Sequence, residues 1–390
     1  MKVDQPRGGT PDLISTPDEL FPCLDQLTSG SGPFALDTER AHGIRYSTRA
    51  YLIQVKRTGG GLHLIDPVAL TDHMVDVGRV LATDEWILHA ADQDLPCLRM
   101  EGLTTSSLFD TEIAAMLLGD DKISLQAVLE QNLGVELAKE HSNSDWSKRP
   151  LSEALLNYAA LDVDYLIELR AALTERLEQA GRIKWLVEEC EYVLHAPEKP
   201  PVPDPWRKIA ASAGAKDRRT LAILKELWDT RDALAHERDI APGKVLANKA
   251  LSALVSSLPE TKEEAQAHPI LQGKRGAYAG PLWAAIDRGR HAKELPPRHR
   301  PSDSEIPDPR QWARQHEDAA RRWDELRPAV LQRAEEIGIR QDVLVKPAIQ
   351  REAAWRGWTN LTEATHVFIN AGARPWQVEE LAPVLPRSLT

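Results

Sequence analysis

Short apolar runs separated by helix-like spacing fill the first half of the chain. Four runs have the length and β-branched or aromatic content of strands, at 33–38, 50–56, 62–66 and 86–90. Apolar residues three or four positions apart predict helices at about 70–82, 92–99, 111–118 and 123–133. The first three runs follow closely and favour an antiparallel meander, whereas the later alternation favours crossover helices. The pattern therefore predicts a mixed sheet with helices packed on it.

The rest of the chain has helical periodicity. Thr16-Pro17-Asp18-Glu19 has the residues of a helix start, and Ala, Leu and Tyr spacing predicts one long helix from Ser152 to about Gly181. The proline-rich segments "HAPEKPPVPDP" and "PPRHRPSDSEIPDP" cannot continue a helix. The predicted organisation is a disordered tail (1–12), an α/β domain (13–195), a linker (196–205), a helical domain (206–295), a second linker (296–309) and a C-terminal helical domain (310–390).

The composition is that of a soluble globular protein. Of 390 residues, 42% are apolar and 27% charged, and no run of 18 apolar residues exists that could span a membrane. The first residues contain no apolar signal-peptide core. Cys23, Cys97 and Cys190 are odd in number and widely spaced, so we expect buried thiols in a reducing cytoplasm.

The net charge of −11 is unevenly distributed. Residues 1–204 carry 18 Lys and Arg against 34 Asp and Glu, residues 205–300 carry 18 against 11, and residues 301–390 carry 12 against 14. The basic middle block is either a polyanion-binding surface or a solvated charged face. Its candidate phosphate contacts are Arg218, Arg219, Lys225, Arg231, Lys244 and Lys249. Trp228 and Trp283 either stack on bases or belong to the core, and we expect Trp228 in the core.

Five residues in three segments form a candidate chemical site. Asp37 and Glu39 end the first strand and share one face, Asp94 follows a later strand, and Tyr158 and Asp162 share one helix face. Each segment alone has a structural explanation: acids are common at strand ends, an acid stabilises a first helical turn, and a Tyr hydroxyl can bond a neighbouring carboxylate.

The order of these segments resembles the three motifs of the DEDD exonuclease superfamily, in the subgroup with Tyr in its third motif. The segments "FALDTE", "LHAADQDL", "LFDTEIAAMLLG" and "DWSKRPLSEALLNYAALDVDYL" resemble ribonuclease D. "LKELWDTRDALAHERDIAPGKVLANKALSAL" resembles the helical HRDC domain shared with RecQ-type helicases, and "RAEEIGIRQDVLVKPAIQREAAW" resembles the C-terminal domain of bacterial ribonuclease D. The resemblance implies a ribonuclease H-like mixed-sheet exonuclease domain followed by helical HRDC-type domains.

The resemblance also implies a reaction. Converging carboxylates repel each other unless cations neutralise them, and an all-oxygen donor set favours Mg²⁺ or Mn²⁺ over zinc. By resemblance, Asp37 would bridge two divalent cations, Glu39 and Asp162 would complete one site, Asp94 would hold the other ion through water, and Tyr158 would orient the attacking water. The implied activity is 3′–5′ exoribonuclease cleavage that releases nucleoside 5′-monophosphates, as in tRNA 3′ processing.

Two nearby residues need separate interpretation. Arg40 stands where the family usually has an apolar residue, which leaves open how the terminal base is held. His89, just before the turn to Asp94, is interpreted as a structural histidine. The alternatives are a 3′–5′ exonuclease that prefers DNA and a non-catalytic RNA-binding protein on the same fold. We expect RNA as the partner, no membrane, no required protein partner and a monomer.

Overall fold

The computed structural model describes residues 1–137, 144–198, 200–299 and 306–389. Residues 300–305, within the second predicted linker, lie outside the described part. The strands are β1 (Lys2–Val3), β2 (Leu13–Ile14), β3 (Ser31–Arg40), β4 (Ala50–Thr58), β5 (Gly61–Ile65), β6 (Trp86–Leu88), β7 (Leu108–Asp110) and β8 (Glu136–Leu137).

Helices follow and surround these strands. Those of the α/β domain are α1 (Pro17–Ser29), α2 (Met74–Leu81), α3 (Ala91–Met100), α4 (Thr111–Leu117), α5 (Leu125–Leu133), α6 (Glu153–Asp164), α7 (Leu166–Gln179) and α8 (Ile183–His195). The middle helical domain contains α9 (Arg218–Glu237), α10 (Pro242–Val245), α11 (Asn248–Ser257), α12 (Lys262–Ala267) and α13 (Ala279–His291). The C-terminal helical domain contains α14 (Pro309–Gln315), α15 (Glu317–Glu336), α16 (Gln341–Leu344), α17 (Pro347–Arg356), α18 (Leu361–Asn370) and α19 (Pro375–Leu381). Across the described residues, no helix is long and apolar enough to cross a membrane.

The predicted mixed sheet is confirmed. Its strand order is β2-β5-β4-β3-β6-β7. The pairs β3/β4 and β4/β5 are antiparallel, whereas β2/β5, β3/β6 and β6/β7 are parallel. The meander therefore forms from the three closely spaced runs, and β3 lies where the antiparallel and parallel halves meet. The prediction omitted β2 and β7, which are two and three residues long and too short to show periodicity.

The prediction of a single long helix from Ser152 to Gly181 is wrong. Helix α6 ends at Asp164, and Tyr165 has φ −113° and ψ 2°, after which α7 begins. The backbone carbonyl of Asp164 accepts hydrogen bonds from the side chains of Arg7 and Lys56. These two cations come from elsewhere in the chain, so the periodicity of the segment could not reveal the break.

The prediction that residues 1–12 form a disordered tail is also wrong. Residues Lys2–Val3 pair in parallel with Glu136–Leu137, and Pro6 is buried. Arg7 donates from its backbone N–H to the Asp164 carboxylate at 2.9 Å. Because these contacts are made with residues more than a hundred positions away, the tail is ordered by tertiary structure.

The two helical domains relate differently to the α/β domain. One continuous hydrophobic core joins the sheet and its helices to the C-terminal helical domain, whereas the middle helical domain has its own core. Trp185 stacks on Trp376 at 4.6 Å between ring centroids, and Arg374 pairs with Glu189 at 2.7 Å. The C-terminal helical domain is therefore packed as part of the α/β body.

The middle helical domain contacts the loop that follows β3. The Ala241 N–H donates to the Ile44 carbonyl at 2.9 Å, and the Tyr46 hydroxyl donates to Asp232 at 2.8 Å. These bonds attach the domain to the segment directly after the strand that carries Asp37 and Glu39.

Candidate active site

Strand β3 carries the first two acids of the candidate site. In its register with β4, Asp37 lies opposite Gln54 and Glu39 opposite Leu52. Side chains two apart share a face, so both carboxylates point to the same side of the sheet. The pairing of β3 with β4 shifts register between Glu39 and Arg40, where β3 ends.

Helix α6 brings the third acid and the tyrosine to that face. The Ser152 side chain caps the helix by accepting from the Leu155 N–H, and α6 packs on β3, β4 and β5. Tyr158 and Asp162, four residues apart, share a side-chain hydrogen bond. The Tyr158 ring lies 6.3 Å from the ring of the fully buried Trp146, measured between centroids.

Three of the four predicted acids meet. Carboxylate oxygens of Asp37, Glu39 and Asp162 all lie within 4.8 Å of one another. Within the described residues, none of the three forms a salt bridge. Burial, together with the neighbouring carboxylates, raises the pKa of each of these three acids. The cluster therefore resists full ionisation unless positive charge enters it.

Asp94 lies beside this cluster, in α3, and is held differently. Its carboxylate accepts from the Thr38 hydroxyl at 2.6 Å and lies 3.9 Å from the Arg40 guanidinium. Burial raises the pKa of Asp94, and the Thr38 hydrogen bond and Arg40 oppose that rise. Arg40 also donates to the Gln93 carbonyl at 2.8 Å. The Arg40 guanidinium thus lies against Asp94, the acid outside the three-carboxylate cluster, and its charge also opposes the rise in the pKa of Glu39.

The sequence interpretation missed three polar residues that shape the site. Gln54 donates to Asp37 at 3.4 Å, and Thr38 holds Asp94. Asp110 accepts from the N–H groups of Ala90 and Ala91 at 3.1 and 2.7 Å, which fixes the start of α3. Thr38 and Asp110 lie in the quoted segments "FALDTE" and "LFDTEIAAMLLG", and Gln54 lies in the predicted strand at 50–56, but a single sequence does not show which polar residue in such a segment is buried.

His89 is placed as a structural histidine. Its Nδ1 lies 2.8 Å from the Thr111 hydroxyl, and burial lowers the pKa of the imidazole to about 4. A buried, neutral and hydrogen-bonded imidazole agrees with the interpretation of His89 as a structural histidine.

The site has the chemistry of a divalent-cation site. Its donors are carboxylate oxygens only, and Asp37 and Asp162 are partly exposed. Among the described residues no lysine or arginine forms an ion pair with the three-acid cluster, and Arg40 only partly opposes the rise in the pKa of Glu39. Hard cations such as Mg²⁺ and Mn²⁺ prefer such ligands. These residues therefore fit the cations that the resemblance implies.

Known proteins share this architecture and this arrangement of domains. The chain matches the family model for a 3′-5′ exonuclease over residues 12–178, the HRDC domain over 220–286, and the 3′ to 5′ exonuclease C-terminal domain over 305–389. The ribonuclease D of Jannaschia sp. (strain CCS1) is 32% identical over 294 residues, which cover 72% of this chain and 74% of that protein. The chain belongs to the ribonuclease D family. It is accordingly an enzyme of the 3′–5′ exoribonuclease class.

One further ribonuclease D relative and two solved structures also resemble this chain. The ribonuclease D of Granulibacter bethesdensis is 31% identical over 309 residues, covering 75% of this chain and 76% of that protein. A crystal structure of a protein from Bifidobacterium adolescentis matches with a TM-score of 0.86 at 33% identity, covering 98% of both chains. Escherichia coli RNase D, described as an exoribonuclease involved in structured RNA processing, matches with a TM-score of 0.66 at 25% identity, covering 88% of this chain and 91% of that one.

The basic residues predicted to contact nucleic acid in this ribonuclease D family member have diverse environments. Arg231 is buried, stacks on Trp228 at 4.1 Å and donates to the Asn248 side chain at 2.7 Å. It cannot contact phosphate, and the prediction for Arg231 is wrong because a spacing along α9 does not specify which face is covered. Trp228 lies in the core of the middle domain, as expected, and Trp283 is partly buried against the same core.

The other five remain at or near the surface, but three are engaged. Arg218 donates to the carbonyls of Leu295 and Pro296, and Arg219 to that of Ala292. Lys225 pairs with Asp229 at 2.7 Å. Lys244 and Lys249 are exposed and remain predicted RNA contacts.

Proposed function

We propose that this enzyme hydrolyses the terminal phosphodiester at RNA 3′ ends, releasing nucleoside 5′-monophosphates, at a two-cation site formed by Asp37, Glu39, Asp94 and Asp162. The observation that carries the proposal is the convergence within 4.8 Å of three carboxylates that form no ion pair among the described residues, beside a fourth, in a chain of this family. When bound, a pair of Mg²⁺ or Mn²⁺ ions would activate the attacking water and stabilise the departing 3′ oxygen.

The protein's own groups then have distinct tasks. Asp37 is the acid whose pKa is raised, in addition to the effect of burial, by all three of the other carboxylates, Asp94, Asp162 and Glu39, and it is the candidate ligand that would be shared by both cations. Asp94, oriented by Thr38, is the candidate ligand on the other side. These four carboxylates give the site its charge, and Gln54 restrains the Asp37 side chain through its amide.

Tyr158 is the candidate group that orients the attacking water. Burial and the surrounding carboxylates raise the pKa of its phenol above the ordinary value, so the hydroxyl keeps its proton at neutral pH. A protonated hydroxyl can hold a water molecule by a hydrogen bond but cannot act as a general base. We assign Tyr158 a positioning role.

The proposed substrate is the 3′ end of structured RNA, with tRNA precursors as the natural class. The family relationship supports RNA, and the description of the Escherichia coli enzyme names structured RNA for that protein. Three free, buried cysteines fit a reducing compartment, for which we propose the cytoplasm. The candidate ligands all come from one chain, so we propose that a monomer is active.

A digestion series tests this proposal. A 5′-labelled tRNA precursor is incubated with Mg²⁺, Mn²⁺, Zn²⁺ or EDTA, alongside a DNA oligomer of matched sequence. We expect a ladder shortening from the 3′ end with Mg²⁺ or Mn²⁺, nucleoside 5′-monophosphates as products, and no reaction in EDTA. Faster cleavage of the DNA would favour the DNA exonuclease instead, and binding without cleavage under every condition would favour the non-catalytic alternative.

A further inference from the structure

A cavity of about 510 Å³ opens on the C-terminal helical domain, away from the acids of the candidate active site. Arg310 of α14, Arg327 of α15 and Arg351 of α17 line it, together with Trp323 of α15. We refer to the cavity lined by these four residues as the arginine–tryptophan cavity. Its arginines come from three different helices, so only the tertiary fold brings them together.

The guanidinium groups of the three arginines have no hydrogen-bond acceptor and no carboxylate partner in the described structure. All are exposed, and among the described residues none of their guanidinium groups donates a hydrogen bond or pairs with a carboxylate. Among the residues that the structure describes, Asp308 is the one acid that lines the cavity, and its carboxylate accepts from the Arg310 backbone N–H at 2.9 Å. The cavity therefore presents surplus positive charge.

Other arginines of the same domain behave differently. Arg333 pairs with Glu380 at 2.7 Å, and Arg340 pairs with Asp342 at 2.5 Å. Arg322 donates to the carbonyls of Ala354 and Trp355 at 2.7 Å each. Arg314 and Arg387 are also exposed without an acceptor among the described residues, but they do not line this cavity. The gathering of three unmatched guanidinium groups around one cavity is what indicates an external anionic ligand.

Trp323 adds a flat aromatic surface to this charge. Its ring is partly buried and is braced edge-to-face by Trp312 at 6.2 Å. The Arg327 guanidinium lies 5.6 Å from the Trp323 ring centroid. A braced indole beside planar, permanently charged guanidinium groups is suited to a ligand that alternates phosphates with flat bases.

The cavity also has a fixed position relative to the acids. The C-terminal helical domain shares its hydrophobic core with the α/β domain, and the Trp185–Trp376 stack and the Arg374–Glu189 ion pair join the two. A strand bound at the cavity is therefore held by a domain that shares its hydrophobic core with the domain of the candidate active site, where negative charge repels phosphate.

We propose that the arginine–tryptophan cavity is a second binding site for single-stranded RNA, with its arginines on phosphates and Trp323 against a base. This inference rests on the proposed function in taking RNA as the ligand. Substrate is thereby expected to bind to the C-terminal helical domain, whose basic and acidic residues nearly balance. RNA binding there depends on how many cations lack an acidic partner rather than on the net charge of the domain.

The test compares two double variants with equal loss of charge. Arg327→Gln/Arg351→Gln removes two cavity cations, and Arg314→Gln/Arg387→Gln removes two exposed arginines of the same domain that do not line the cavity. Binding of a 5′-labelled unstructured RNA of about 20 nucleotides is followed by fluorescence anisotropy in EDTA, over a series of salt concentrations. Thermal melts establish that both variants are folded.

We expect the cavity variant to bind this RNA about tenfold more weakly, with a log–log salt slope shallower by about 1.4, since each single-strand phosphate contact contributes about 0.7. The control should keep wild-type affinity and slope. In Mg²⁺, the ratio of kcat/KM on the long RNA to that on a tetranucleotide should fall in the cavity variant only. Equal RNA affinity in the cavity variant and the wild type, or an equal loss in both variants, overturns the inference. A wild type that binds RNA as expected but never cleaves it contradicts the proposed function and leaves this site supported.

Discussion

Asp162 and Asp164 lie two residues apart on the same helix but in opposite electrostatic environments. Asp162 faces Asp37 and Glu39, forms no ion pair within the described residues, and has its pKa raised by burial and by neighbouring charge. Asp164 is buried, yet Lys56 donates to its carboxylate at 2.7 Å and the Arg7 N–H at 2.9 Å. Although burial opposes ionisation, these bonds hold the pKa of Asp164 below its ordinary value.

The difference separates a site that needs external cations from one that is already neutralised. An acid paired with two cations stabilises the fold but has little capacity left for a ligand. A group of acids without cations destabilises the unliganded fold and binds cations strongly. Matched substitutions at the two positions make this contrast measurable.

The largest effect is expected from the pair Asp162→Asn and Asp164→Asn. Asp162→Asn should lower exonuclease turnover by about 10³ or more, because it removes a cation ligand worth several kcal/mol in the transition state. Its unfolding free energy without divalent ions should be unchanged or higher. Asp164→Asn should instead cost about 2–3 kcal/mol of stability, because Lys56 and Arg7 lose their partner. Turnover at saturating substrate and denaturant melts measure the two effects, and wild-type turnover in Asp162→Asn would remove this residue from the site.

A second matched pair tests the tyrosines beside the two acids. Tyr158→Phe should lower turnover by about 10²–10³, because the hydroxyl that bonds Asp162 also orients water. Tyr165→Phe keeps the ring under Arg7, 4.5 Å from the guanidinium carbon, and should leave turnover near wild type. Single-turnover rates at saturating RNA are the measurement. A Tyr158→Phe protein that loses stability but keeps its rate would show that this hydroxyl is structural.

Divalent cations should stabilise the protein through one group of acids only. Mg²⁺ or Mn²⁺ at about one hundred times its dissociation constant should add about 2.7 kcal/mol to the unfolding free energy. Asp162→Asn and Asp37→Asn should lose most of that gain, whereas Asp164→Asn should retain it. Melting temperature against cation concentration, without RNA, reports this independently of catalysis. An equal cation response in Asp162→Asn and wild type would contradict the proposed ligand set.

The smallest expected effect is on pH dependence: the contributions of Asp162 and Asp164 to the unfolding free energy should change with pH in opposite directions. The pKa of Asp162 rises from its ordinary value near 4 to about 7 in the folded protein. Between these values the folded state holds a proton that the unfolded chain has released, so the unfolding free energy of the cation-free protein falls as pH rises. Asp162→Asn should flatten this fall. The pKa of Asp164 is lowered, so its contribution is full above about pH 4 and is lost only as pH falls through the lowered pKa. Denaturant melts in EDTA from about pH 2 to pH 8 test both signs, because the Asp164 contribution changes only below about pH 4.

Much of the fold was predictable because its signals are local. Strands β3 to β6 and helices α1 to α5 follow from apolar spacing and from the Thr16–Glu19 start, where Glu19 bonds the Ser15 and Thr16 N–H groups as a capping box. The Tyr158–Asp162 pair was visible as an i,i+4 spacing, and the order of the motifs predicted the family correctly. The strand, helix and capping signals depend on residues within a few positions of one another, and each motif is itself a short segment that can be recognised before the chain folds.

The sequence by itself determined which residues carry the chemistry and in what order: two acids on β3, one after β6, and a tyrosine and an acid on α6. Only the tertiary structure decided how each charged group is used. Asp164 is neutralised from 157 and 108 positions away, Arg231 is enclosed within a helical core, and the arginine–tryptophan cavity gathers side chains from three helices. Burial and pairing depend on neighbours distant in the chain, and a charge has the same letter in the sequence whether it is compensated, buried or free to bind a ligand.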